Sequence, residues 1–231
     1  MKKYYLLNRL WLTAIFSLFA ILSFAQNQDI DALSILKEGN KRFCAGKLEH
    51  GHQDMARVNE LKGGQAPLAI VVSCSDSRVT PEIIFDQGLG DVFSIRTAGN
   101  VMADYEEGSI EYAAEHLGTK LIVVMGHTSC GAVKAFMDIK HKDNHEGEEH
   151  NEDLGHIQAI VDKLDSEEEE AEVFRTEGDT YSRAIKANVV HGVKQLRNSE
   201  PFLSEMYKEE KVNIVGAIYH IETGEVEFLD I

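Results

Sequence analysis

"PLAIVVSCSDSRVTPE", residues 67–82, runs from an unbroken apolar stretch straight into a cysteine, an aspartate and an arginine. Leu68 to Val72 is continuous and rich in β-branched residues, as a strand covered on both faces requires. Pro81 then suits the first turn of a short helix, "TPEIIFDQ", which ends at Gly88. In an open parallel sheet, loops and helix N-termini converge on ligands at the carboxyl ends of the strands. The Cys74 thiol, the Asp76 carboxylate and the Arg78 guanidinium therefore fall where a site is expected.

Two more strands lie downstream, "DVFSIR" (91–96) and "KLIVVMG" (120–126). Between them, "EEGSIEYAAEHLG" (106–118) places Ile110, Ala113, Ala114 and Leu117 on one helical face and ends on a glycine. Apolar strands separated by helices predict βαβ units and a parallel sheet. "TYSRAIKANVVHGVKQLRNS" (180–199) and "PFLSEMYKEE" (201–210) read as helices. "VNIVGAIYHIETGEVEFLD" (212–230) reads as two strands about a Thr-Gly turn, one antiparallel to the rest. From Asp29, the spacing of Ile30, Leu33, Leu36 and Phe43 predicts an amphipathic helix, with Asp29 or Asp31 as cap and Gly46 as stop. The expected class is α/β. About four parallel strands and one antiparallel edge strand are flanked by helices, with an N-terminal helical arm.

The first residues read as a leader. Lys2, Lys3 and Arg9 precede the apolar run Leu10–Phe24, and small Ser23 and Ala25 stand three before and one before a cut expected after Ala25. An uncleaved anchor or a buried helix is the plainer alternative. Cleavage leaves residues 26–231 as a single domain, exported to the periplasm in a two-membrane bacterium. The whole chain has 23 basic and 39 acidic residues, net −16, and loss of the three leader cations makes it −19. Such a surface repels nucleic acid and anionic membranes, so neither is an expected partner. Acidity concentrates between residues 138 and 179, where sixteen acidic residues face four basic ones, with His141, His145, His150 and His156 among them. Metal capture is one reading of this tract. A solvated insertion is the favoured one, because no ligand spacing recurs, although "EDLGHIQAIVDKL" keeps helical spacing.

Chemistry centres on "HTSC", where His127 and Cys130 stand three apart just after a buried strand. With Cys74 at the end of another strand, two sulfurs and an imidazole can meet at one sheet edge. Zinc accepts that set, and three protein ligands leave the fourth position open for catalysis. A Cys74–Cys130 disulfide is the competing reading for an exported chain, but it leaves His127, Asp76 and Arg78 unexplained. Cys44 has no ligand-like neighbour and is expected as a small buried apolar residue. Ser75 and Ser77 are candidates either to hydrogen-bond the sulfurs or to cap the loop.

"CSDSRV" and "HTSCGAV", together with "SIRTAGN", "SIEYA" and "VGAIYHIETGEVEF", resemble the β-class carbonic anhydrases from about Asp31 to Phe228. The resemblance implies one zinc per subunit on Cys74, His127 and Cys130, a catalytic Asp76–Arg78 dyad, and reversible hydration of carbon dioxide to bicarbonate by a lyase. It implies a homodimer, often a dimer of dimers, with the N-terminal helix wrapped over the partner. Gln65, Phe93 and Tyr112 match substrate-cleft positions drawn partly from the partner subunit, and Gly131 matches a glycine near the carbon dioxide. In some members the aspartate of "CSDSR" itself binds zinc, closing the site, with a side pocket that uses a tryptophan. The only tryptophan here is Trp11, inside the leader, so an open site with Asp76 on Arg78 is expected.

The chemistry also stands without the resemblance. Zinc acidifies a bound water into a nucleophile. Asp76 can orient it, and Arg78 can hold Asp76 ionised by a paired hydrogen bond. Two other readings are a zinc hydrolase of the same fold acting on carbon disulfide or carbonyl sulfide, and a non-enzymatic zinc assembly protein. The dyad argues against the last, since a structural zinc site needs none.

Overall fold

The computed structural model describes residues 31–146, 154–173 and 180–231. The expected leader, Trp11, Ile30 and His150 lie outside the described residues. Helix α1 (Ala32–Cys44) begins at Asp31, which accepts hydrogen bonds from the Leu33 N–H at 3.2 Å and the Ser34 hydroxyl at 2.7 Å. Asp31, one of the two candidate caps, is therefore in use, and the other, Asp29, lies outside the described residues. The helix stops where Gly46 takes a left-handed φ of 63° and Lys47 N–H turns back to Arg42 O. A short helix α2 (Met55–Glu60), which the sequence reading did not anticipate, follows in the connection to the sheet.

Five strands form one sheet: β1 (Ala69–Cys74), β2 (Val92–Thr97), β3 (Leu121–His127), β4 (Asn213–Tyr219) and β5 (Val226–Leu229). Their spatial order is β2-β1-β3-β4-β5, parallel throughout except for antiparallel β5 at one edge. The expected sheet is thus the observed one. Strands β1 and β3 are buried along their whole length. Ile70, Val72, Ile122 and Val124 point into a core shared with Ile110 of α4 (Asp104–His116) and Val193 and Leu196 of α8 (Thr180–Asn198). Val71, Val123 and Met125, on the opposite face, are equally buried. Each such side chain contributes roughly 1.5–3 kcal/mol, and two covered faces explain why the pattern is continuous rather than alternating.

Helix α8 lies close against β3 because Gly126 has no side chain. A Cβ there would meet Val189 Cγ2 at 2.6 Å. The remaining helices are short α3 (Pro81–Ile84), α5 (Gly131–Glu146), α6 (Ile157–Asp165), α7 (Glu168–Val173) and α9 (Phe202–Lys208).

Two expectations are corrected. Cys44 is exposed, not buried, because the last turn of α1 presents it to solvent beside the β4–β5 turn. The acidic tract is not wholly solvated either. Val161, Leu164 and Val173 seat α6 and α7 on the core, and this drags Glu167 and Glu170 under cover at 2% and 0% exposure.

Candidate metal centre

The chain leaves β1 toward β2 on one side and leaves β3 toward β4 on the other. Opposed exits open a crevice between the carboxyl ends of β1 and β3. Register places Ser73 opposite Met125, so Cys74 and His127 end neighbouring strands at that crevice. Cys130 follows three residues on, at the threshold of α5. Ser129, between them, adopts a left-handed φ of 59°, an uncommon conformation for a residue with a side chain. That turn brings Cys130 back toward the strand end.

Cys74 Sγ, Cys130 Sγ and a ring nitrogen of His127 lie within 4.8 Å of one another, all buried. The imidazole is oriented from behind, because Nδ1 lies 2.8 Å from the Thr128 backbone carbonyl. A carbonyl only accepts, so Nδ1 carries the proton and Nε2 carries a free lone pair. That Nε2 is buried with no hydrogen-bond partner. An orphaned lone pair facing two sulfurs is costly by itself and suits a thiophilic cation.

The sulfurs point the same way. Cys74 is pulled below the ordinary thiol range, first by the neighbouring Cys130 thiol, then by His127 and the N–H groups of Asp76 and Gly99. Gly99 reaches the sulfur at 3.3 Å because it takes a φ of 70°. Cys130 is pushed up by Cys74 and by burial, so the pair alone holds one negative charge. A dication would let both ionise. Both thiols are free, so the competing disulfide is not formed. The sulfur contacts come from backbone N–H groups, whereas no such bond from Ser75 or Ser77 is among those described.

Asp76 is paired with Arg78 at three points: backbone N–H to Oδ1 at 2.9 Å, Nε to Oδ1 at 3.0 Å and Nη2 to Oδ2 at 2.7 Å. This holds the carboxyl far below the usual range, and it stays ionised at any physiological pH. Arg78 Nη2 also lies 3.4 Å from Ser129 O, linking the two loops.

Three further groups brace the site. Arg96 on β2 donates to the Cys74 carbonyl at 3.2 Å and to the Asp76 carbonyl at 2.7 Å. Tyr181 on α8 donates to the Cys130 carbonyl at 2.7 Å. Glu222, in the β4–β5 turn, accepts from the Thr128 hydroxyl at 2.7 Å and the Ser129 hydroxyl at 3.3 Å. Sequence reasoning assigned none of the three a place at the site. Arg96 had a faint signal at the end of a strand in "SIRTAGN". Glu222 lies inside "VGAIYHIETGEVEF", but no local spacing ties it to Thr128, 94 residues away.

The other candidate residues are placed differently. Gly131 opens α5 beside Cys130 and is exposed, and a Cβ there would meet nothing within 4 Å. Gln65 is exposed in a surface groove walled by Val58, Leu61, Leu89 and Gly90. Phe93 and Tyr112 stack with ring centroids 6.4 Å apart on the β2 side of the molecule, with Tyr112 half exposed. Within the single chain, none of these three joins the metal cluster.

A model of the carbonic anhydrase family matches residues 69–226. The carbonic anhydrase 2 of Mycobacterium tuberculosis is 37% identical over 204 residues, covering 87% of this chain and 93% of that protein. The carbonic anhydrase of Mycolicibacterium smegmatis is 39% identical over 199 residues, covering 86% and 92%. The solved structure of the β-carbonic anhydrase CcaA superposes with a TM-score of 0.64 at 28% identity, over 86% of this chain and 95% of that one.

Proposed function

The chain belongs to the β-class carbonic anhydrases, and from that membership we propose that it hydrates carbon dioxide reversibly to bicarbonate and a proton, with zinc held by Cys74, His127 and Cys130. The observation that carries the reading is the buried, unpartnered Nε2 of His127 aimed into a pair of sulfurs. When bound, zinc supplies a hydroxide nucleophile near neutral pH.

This chain's residues supply the rest. Asp76 is the hydrogen-bond acceptor that orients the nucleophile, and its ionised state is secured by Arg78. Because Asp76 is held by three bonds to Arg78, the site works in the open form, with Asp76 off the metal. Gly131, exposed next to Cys130, borders the substrate in this reading. Stopped-flow hydration of carbon dioxide tests the reading. Turnover well above the buffer rate supports it, whereas sulfide release from carbon disulfide or carbonyl sulfide without hydration would replace it.

The working unit is a homodimer in this reading. Val58, Ile83 and Leu89 stand exposed around the β2 edge, an apolar area that a second copy would cover. Gln65, Phe93 and Tyr112 lie on that side and complete the partner's cleft. Sedimentation should give at least a dimer, and an active monomer would remove this part of the proposal. The mature chain begins at Gln26 and works in the periplasm, and mass spectrometry of native material should find that terminus. None of the described helices is long and apolar enough to cross a membrane.

A further inference from the structure

The β4–β5 turn reaches over the metal loop through Glu222. Its carboxylate accepts the Thr128 hydroxyl at 2.7 Å, and the same hydroxyl accepts the Ile221 N–H at 2.9 Å. The Thr128 N–H meanwhile donates to the Tyr219 carbonyl at 3.0 Å, so Thr128 is tied at two points to the turn and at a third to the end of β4. Glu222 Oε1 also accepts from the Ser129 hydroxyl at 3.3 Å, in the residue held at left-handed φ. Everything Thr128 fixes bears on a candidate ligand. Its carbonyl receives the His127 Nδ1 proton at 2.8 Å, and Ser129 immediately precedes Cys130.

We infer that Glu222 is a positioning residue for the metal site, locking the 128–129 loop so that the Thr128 carbonyl holds His127 with Nε2 forward and the turn at Ser129 delivers Cys130. Both Glu222 and Ser129 are exposed. Without Glu222 the two hydroxyls of this surface loop lose their carboxylate acceptor, and the ligands and the left-handed residue it carries rest on the remaining ties to Tyr219, Ile221, Arg78 and Tyr181. Groups that orient a ligand from behind typically change metal affinity by about 10- to 100-fold when removed. The inference rests on the zinc reading above only for its metal readout, since the orientation of His127 is a property of the chain itself.

The test compares the parent with Glu222→Ala, Glu222→Gln and Thr223→Ala. Thr223 serves as control because its hydroxyl accepts Glu225 N–H at 3.2 Å, so losing it loosens the turn and spares the carboxylate. Two quantities are measured: zinc transfer to a colorimetric chelator from the loaded protein, and solvent exchange of the His127 Nδ1–H by NMR in the metal-free protein. E222A should release zinc about tenfold faster and exchange the ring proton about tenfold faster. E222Q keeps an oxygen acceptor for Thr128 and should stay within about threefold of the parent on both, as should T223A. E222A at the parent's exchange rate would overturn the inference, and so would E222Q or T223A matching E222A. If the parent binds no zinc, the zinc reading fails alone, and the exchange rates still decide the role of Glu222.

Discussion

Two regions with buried polar groups that lack protein partners differ in kind: the crevice between β1 and β3, and the corner formed by α6, α7 and α8. In the crevice, His127 Nε2 and two sulfurs face a common point within 4.8 Å. In the corner, Glu167 Oε2 and both oxygens of Glu170 are buried and unbonded among the described residues. Here no three ligand-bearing residues converge among the described residues. Among the described residues the sulfur–imidazole group is the only set with metal-ligating geometry. Burial is therefore the largest influence on the two acids. It pushes Glu167 up to about 8, with Lys163 opposing and Glu169 adding, and Glu170 up to about 9, with Glu167 and Glu169 adding. Glu169 beside them behaves oppositely, because hydrogen bonds from Lys194 and His191 outweigh its desolvation and hold it at about 2. Orphaned polarity marks a functional centre when the lone pairs converge. Where they scatter, it costs stability and the group keeps its proton.

Replacing His127 with alanine breaks the crevice outright. Two sulfurs are too few to retain the ion, so zinc should fall below about 0.1 per chain and carbon dioxide hydration by roughly a thousandfold or more. Retained zinc and activity in H127A would dissolve the contrast between the two regions. Asp76→Asn is the next largest change. It should keep zinc near stoichiometric and lower kcat/KM by about a hundredfold, the usual cost of losing one oriented polar group in the transition state. An unchanged rate would remove Asp76 from the chemistry.

The acidic corner predicts an effect on stability instead. A carboxyl whose proton is held more tightly in the folded state than at its ordinary value of 4.5 stabilises the fold only while protonated. Stability from Glu167 and Glu170 is therefore full below about pH 4.5 and declines as pH rises toward about 8 and 9. Glu170→Met removes the penalty, so Tm should rise by roughly 4–8 °C at pH 8.5 and by less than half that at pH 5. Equal gains at both pH values would show that Glu170 is not held protonated. Activity should not move. The smallest effect is expected from Cys44→Ser, which should shift stability by no more than about 0.5 kcal/mol and leave zinc stoichiometry intact, since that thiol is exposed.

How far the sequence reached follows the same division. The sheet was readable because β1 and β3 are buried on both faces and so spell continuous apolar runs, and because "KLIVVMG" ends where its ligand begins. Cys74, Asp76, Arg78, His127 and Cys130 were readable because each lies within a few residues of a strand end, so local spacing carries their placement. Glu222 and Tyr181 reach the loop from 94 and 51 residues away, through a β-turn and a helix whose orientation no local pattern specifies. Glu167 and Glu170 misled for a different reason. "DSEEEEAE" has the composition of a solvated run, but Val161, Leu164 and Val173 anchor its ends to the core, and tertiary packing overrode the local preference. Cys44 was misjudged because the lack of a ligand-like neighbour says nothing of burial, and its turn of α1 faces outward.

The central claim is that the converging lone pairs hold a catalytic zinc. Its most direct test is a titration on the parent protein, in which zinc is removed with a chelator and returned in known amounts. Metal content and carbon dioxide hydration are followed on the same samples. One zinc per chain is predicted, with activity absent at zero, rising in proportion and saturating at one equivalent. Full hydration activity in protein holding less than about 0.1 zinc per chain, or zinc-saturated protein no faster than buffer, would contradict the account.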